Sequence, residues 1–351
     1  MRKYKSFRIW DGKISFLVDR IAWTKISIFT GIALIVFILS IGLGDYPLTP
    51  IEVIQTLFGK GSEMDELVVY HFRLPRAIIS LLVGSALAVA GAILQGMIRN
   101  PLASPDILGV TGGASVFVVA FLTIFSNEDN ALTVSISWLP LAAFLGATVI
   151  AYFVYLLSWK KGVSPIRLVL IGIGISALAQ ALTTLLMILG PIYRASQANI
   201  WITGSVNGSD WGDVAILTPW IVVLIIISLF FARKVNIQEL GDDIAKGVGG
   251  KVQLERFLLL TISTALVGGA VAFAGGIGFV GLIAPHIARR IVGSAYGVLI
   301  PLSAVIGGIL VMASDLLGRT LFLPLEVPAG VFTAAIGAPY FIYLLFKAKS
   351  A

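Results

Sequence analysis

The chain has 351 residues, of which 58% are hydrophobic and only 12% charged, and its mean hydropathy is +0.99. That balance excludes a soluble globular protein and predicts an all-α polytopic membrane protein. With no cysteine and two histidines, His71 and His286, a disulfide framework, a thiolate nucleophile and a histidine-rich metal or haem site are excluded too.

About twenty apolar residues cross a bilayer as a helix, and that ruler predicts ten spans. Residues 1–25 form a basic segment that reads as a topology determinant drawn to anionic lipid rather than a nucleic-acid arm. The first span, near 26–43, is too long for the core of a cleavable signal and is expected to be retained. After it, YPLTPIEVIQTLFG from Tyr46 places Ile51, Ile54, Leu57 and Phe58 at helical spacing, the pattern of a helix lying on the membrane surface. RLPR, Arg73 to Arg76, precedes span two, near 77–98.

Asn100, Pro101 and Leu102 then break the chain, because proline cannot continue a helix. Spans three, four and five are expected near 107–125, 138–158 and 168–190, with SPIR, Ser164 to Arg167, between the last two. ANIWITGSVNGSDWGD, Ala198 to Asp213, reads either as an aromatic interface anchor or as part of an outer surface. Span six follows near 214–232. The polar loop 235–256 repeats Leu240, Ile244, Ala245 and Val248 at helical spacing, which predicts a short amphipathic helix for a partner's groove. Spans seven to ten are expected near 257–275, 279–296, 298–316 and 330–346, with a tail at 347–351. His286 lies in the eighth and reads as structural. Arg319 follows the ninth, four residues after Asp315 and in reach of it on one helical face.

With the N-terminus inside, twenty of the 25 Lys and Arg residues fall on the cytoplasmic side. The five outside are Lys60, Arg73, Arg76, Arg194 and Arg319. This bias places both termini in the cytoplasm.

LVGSALAVAG from Leu82 recurs as LVGGAVAFAG from Leu266, 184 positions on. The copies open spans two and seven. An odd offset of five spans reverses direction, so spans 2–5 and 7–10 are expected to form an inverted repeat, chance recurrence in Gly/Ala-rich sequence being the plainer alternative. Either way the small residues make thin helix faces that let neighbours approach in lipid.

RNPLASPDILGVTGGAS from Arg99, GFVGLIAPHIARR from Gly278 and EVPAGVFTAAIGAP from Glu326 together resemble the permease subunits of bacterial ABC importers for iron-siderophores, haem and vitamin B12. The resemblance runs over nearly the whole chain from Ile26. It implies a ten-span permease domain, 26–346, in the bacterial cell membrane. Its implied partners are a second permease copy or related permease, two ATPase subunits that hold ATP and Mg, and an extracytoplasmic binding protein delivering a ferric-siderophore. No cofactor is expected on this chain.

By the same resemblance the ATPase contact falls on Leu240, Gly241, Asp242, Asp243, Ile244, Ala245, Val248 and Gly249. The cytoplasmic gate falls on Asn100, Pro101 and Leu102 together with Ser164, Pro165 and Ile166, where the sequence departs from the family's small polar residues. Arg73, Arg76 and Arg319 would meet carboxylates of the binding protein, a task suited to the guanidinium fork; interfacial snorkelling is the alternative that the residues alone leave open. The chain has no G-x-x-x-x-G-K-[ST] loop, so ATP hydrolysis must belong to a partner. Two other readings are a haem or cobalamin permease of the same family and a carrier driven by an ion gradient. The second usually needs ionisable groups deep in its spans, and the sequence places none clearly there apart from His286. An intramembrane enzyme would need a convergent acid, base or metal set, which is not evident.

Overall fold

The computed structural model describes residues 4–9, 14–127, 131–160, 162–190 and 192–348. Its order is β1 (Tyr4–Ile9), β2 (Ile14–Asp19), α1 (Arg20–Gly42), α2 (Pro50–Leu57), α3 (Glu63–Glu66), α4 (Leu74–Ile98), α5 (Val110–Ile124), α6 (Leu139–Leu157), α7 (Pro165–Leu189), α8 (Ile192–Thr203), α9 (Trp211–Glu239), α10 (Asp242–Gly247), α11 (Val252–Ala274), α12 (Val280–Val292), α13 (Tyr296–Thr320) and α14 (Ala329–Ala348). A π-helical stretch, Leu67–Arg73, joins α3 to α4. The wide turn falls just before Pro75, which lacks the N–H that α-helical geometry would need there.

Seven of these helices are long and apolar enough to cross a membrane, and α5 and α14 are shorter apolar helices. This is a multi-pass membrane fold with an almost wholly helical body. One departure is at the N-terminus, where β1 and β2 pair antiparallel with Phe7 opposite Phe16. Asp19 caps α1 by accepting from the Ile21 and Ala22 N–H groups, so the first helix starts at Arg20 and not at Ile26.

The helices are not interchangeable. In α4, 83% of the apolar window is buried, against 22% in both α7 and α9; α4 is the post on which α9, α11, α12 and α13 pack. Its glycines explain how. A side chain on Gly84 would collide with the backbone of Gly307 on α13, and one on Gly91 with the carbonyl of Gly281 on α12. Small residues therefore bring backbones together where lipid offers no hydrophobic drive for association.

The two matching decapeptides take different places in their helices. Gly91 lies inside α4, whereas its counterpart Gly275 ends α11 with φ +66°. The two helices do run oppositely, since Arg99 beyond the C-terminus of α4 and Arg256 near the N-terminus of α11 both reach Asp242.

Most expected spans change length, the first, seventh and ninth growing to the 23, 23 and 25 residues of α1, α11 and α13, and three others matter for the site. The third shortens to the 15 residues of α5, because the chain first makes a 3-10 turn at Pro105–Leu108. The eighth shrinks to the 13 residues of α12, about 20 Å at helical rise and less than a bilayer core of about 30 Å. The sixth grows to the 29 residues of α9, about 44 Å long, so its last turns project beyond the core. The surface helix after span one forms as α2 with a Thr49–Glu52 capping box; Ile51, Ile54 and Phe58 stay exposed while Val53 is buried. The stretch 198–213 is no open loop. It begins in α8, and Trp201 O, Gly204 O and Ser205 N then bond Gly276 N, Gly330 N and Ala274 O, locking it under the ends of α11 and α14.

Candidate functional site

At the end of the molecule where α4 finishes and α11 starts, three predicted segments converge. Gly241, at φ +117°, turns the chain sharply from α9 into α10. Ala245 is fully buried beneath α10, while Leu240, Ile244 and Val248 stand 65%, 51% and 65% exposed. Residues four apart share a helical face, so they form a short apolar row with no cover among the described residues. Asp243 and Gly249 flank it, both exposed.

Beside α10, the Asn100 carboxamide oxygen accepts the Leu102 N–H at 2.9 Å and its carbonyl accepts Ala103 N–H at 3.0 Å. Pro101 sits inside that closed turn. Ser164 caps α7 by accepting Arg167 N–H at 3.3 Å, Pro165 takes the first helical position, and Ile166 is 74% exposed. Asn100, Ser164, Pro165, Ile166 and Asp242 line one cavity of about 860 Å³.

Arg99, Lys160, Arg167, Lys246 and Arg256 line it too. One Asp242 carboxylate oxygen accepts from Arg99 at 2.7 Å and Arg256 at 2.6 Å. A second polar tie secures α9 nearby, where Arg289 of α12 donates to Glu239 at 2.7 Å and to the Tyr296 hydroxyl at 3.0 Å.

The opposite end gathers Arg73, Arg76 and Arg319, with different roles. Arg76 donates to Asp315 from Nε at 3.0 Å and from its terminal nitrogen at 2.8 Å, and also reaches Glu326 at 3.0 Å and Asn207 at 3.2 Å. Arg73 is buried and donates to the carbonyls of Ile41, Gly42 and Tyr46 at 2.8, 2.9 and 2.7 Å. Arg319, also buried, donates to the Ser40 carbonyl. Its anticipated partner Asp315 is 3.8 Å away and closer to Arg76. Arg73 and Arg319 thus satisfy the carbonyls that a helix C-terminus leaves without intrahelical donors, at the end of α1, whose own last turn has no basic residue. Arg194 lies among residues whose side chains are outside the described set.

A group missed in the sequence sits between the two ends. Asp106 accepts the Thr111 hydroxyl at 2.8 Å, and its carbonyl meets the Ser176 hydroxyl at 3.3 Å, level with the middle of α7. The turn before α5 therefore carries a carboxylate to mid-depth, and His286 is not the sole ionisable candidate there. Hydropathy gave no sign of this, because it assigned Asp106 to the edge of a continuous span. Arg99, Gln253 and Arg256 were also missed as site residues; their signal was adjacency to Asn100 and to the polar loop, without any indication of their partners.

The chain matches the model of the FecCD transport family over residues 32–347. It is 58% identical over 332 residues to the Bacillus subtilis (strain 168) protein named Probable siderophore transport system permease protein YfhA, covering 95% of this chain and 97% of that one. It is 45% identical over 316 residues to the Iron(3+)-hydroxamate import system permease protein FhuG of the same organism, covering 90% of this chain and 94% of that one. Among solved structures, a metal-chelate-type ABC transporter in an inward-facing conformation superposes with a TM-score of 0.82 at 30% identity, covering 92% of this chain and 99% of the other.

Proposed function

The chain belongs to the FecCD transport family of ABC transporter permeases, and from that premise we propose that it carries a ferric-siderophore inward across the bacterial cell membrane. The observation that carries this reading is similarity to siderophore and hydroxamate permeases over nearly the full length of both partners. The chain is a transport subunit and not an enzyme.

In this reading two permeases, this chain with a related one, sit on two ATPases that hold ATP and Mg. Both termini lie in the cytoplasm. The exposed Leu240, Ile244 and Val248 enter a groove on the ATPase, and burying three such side chains contributes roughly 1.5–3 kcal/mol each. Nucleotide-driven closure there moves α10 against the Asn100–Leu102 and Ser164–Ile166 segments, which act as the inward gate.

On the outer face a binding protein presents carboxylates to Arg76, whose partner Glu326 is 40% exposed and can be exchanged. Arg73 and Arg319 shape this surface by holding the end of α1. The test is radioiron uptake in cells lacking the chain, using a ferric hydroxamate and a ferric carboxylate chelate as probes. Uptake restored by the chain should follow cellular ATP and survive a protonophore at constant ATP. Uptake that collapses with the proton gradient, or that never depends on the chain, overturns the proposal.

A further inference from the structure

Asp242 opens the helix that carries the exposed apolar row, yet its side chain turns inward. A single carboxylate oxygen accepts from Arg99 at 2.7 Å and from Arg256 at 2.6 Å. Arg99 is the residue before Asn100 and holds the left-handed conformation, φ 58°, that ends α4. Arg256 is 3% exposed and uses its other terminal nitrogen to donate to the Val163 carbonyl at 2.9 Å. The Val163 N–H is taken by Gln253, also on α11, at 2.9 Å. Both backbone groups of the residue before Ser164 are therefore clamped to α11.

Two predicted gate segments, far apart in sequence, thus meet at one acidic side chain on the docking helix. We propose that Asp242 is a positioning residue, the shared node through which displacement of α10 is passed to Asn100–Leu102 by Arg99 and to Ser164–Ile166 by Arg256. Charge-assisted hydrogen bonds of this length are among the strongest and most directional available to side chains. The guanidinium of Arg256 is suited to the task because its planar fork holds Asp242 and Val163 at once, which a lysine ammonium would not do in fixed geometry. An apolar contact alone would let α10 slide over its neighbours; the node makes the three segments move together. The inference rests on the assignment of α10 to the ATPase contact.

The chain has no cysteine, so an introduced cysteine is its sole thiol, and labelling is read on this chain after the subunits are separated. In the complete transporter reconstituted in liposomes, Leu102→Cys and Ile166→Cys would each be labelled with a soluble maleimide, without nucleotide and with ATP plus vanadate. A separate Leu240→Cys variant would be cross-linked to the ATPase. With the Leu240→Cys cross-link reporting docking and ATP hydrolysis measured in parallel, Asp242→Asn should shrink the nucleotide-dependent change in labelling at both gates, taken per ATP hydrolysed, at least about fivefold, the lower end of ordinary coupling between sites. Asp242→Glu should restore it. A merely structural role would lower yield and ATP hydrolysis together without separating hydrolysis from gate movement.

Should Asp242→Asn fail to assemble, Arg99→Gln, on a side chain 34% exposed, should abolish the response at Leu102→Cys and spare that at Ile166→Cys. An unchanged response at both gates, with the cross-link intact, overturns the node and leaves the docking assignment standing. Absence of the Leu240→Cys cross-link in the otherwise unaltered chain overturns the docking assignment and the node with it.

Discussion

Arg76 on α4 grips Asp315 on α13, 239 residues later, through two nitrogens, and the carboxylate is 2% exposed. The pair joins the central helix to its principal neighbour at the end away from α10, just as the Gly84–Gly307 approach joins them further along. Removing one member leaves the other charge buried. We expect Arg76→Ala to destabilise the detergent-purified protein by about 3–5 kcal/mol, the usual cost of breaking a buried ion pair. Replacing both, Arg76→Met with Asp315→Leu, should recover most of that loss. Unfolding midpoints of the two variants beside the unaltered chain check it, and equal losses would mean that the pair is not what holds the helices.

Backbone contact between α4 and α12 leads to a second expectation. A side chain at Gly91 meets the Gly281 carbonyl, whereas one at Gly297 has nothing within 4 Å. Gly91→Val should abolish the monodisperse folded peak in size-exclusion chromatography, because rigid backbone cannot yield as a flexible side chain can. Gly297→Ala should elute unchanged, and should gain slightly in stability as alanine replaces glycine in a helix.

Ile244→Asp puts a charge into the exposed apolar row of α10. Fold and expression should be preserved, since the side chain is 51% exposed. Recovery of the ATPase with the tagged chain should fall at least about tenfold, as expected when a contact worth about 1.4 kcal/mol or more is lost. Co-purification followed by quantitative immunoblotting measures it. Undiminished recovery would move the ATPase contact elsewhere on the chain.

Arg73 distinguishes support from docking. Its three carbonyl partners become unsatisfied in Arg73→Ala, with an expected loss of about 1–3 kcal/mol for each buried group so exposed. Stability should fall while affinity of the surviving folded fraction for the binding protein changes little. Arg76→Gln should lose both, stability because buried Asp315 is left unpaired and affinity because the docking guanidinium is gone, when both variants are measured on nanodisc-embedded complexes.

The membrane class, the packing of small residues along α4 and the apolar row on α10 were all legible in the sequence. Each is carried by composition or by residues within a turn or two of one another, and hydropathy and helical periodicity are local properties. Tertiary structure alone decided the rest. The short α5 arises where a turn folds inward against α7 and the short α12 where the chain before it bonds the segment after α8, which a sliding apolar window averages away. The burial of Arg73 and Arg319, the mid-depth position of Asp106 and the meeting of Arg99, Arg256 and Asp242 all depend on partners from other helices. A side chain declares its charge in the sequence, but which carbonyl or carboxylate answers it is decided only when the helices pack.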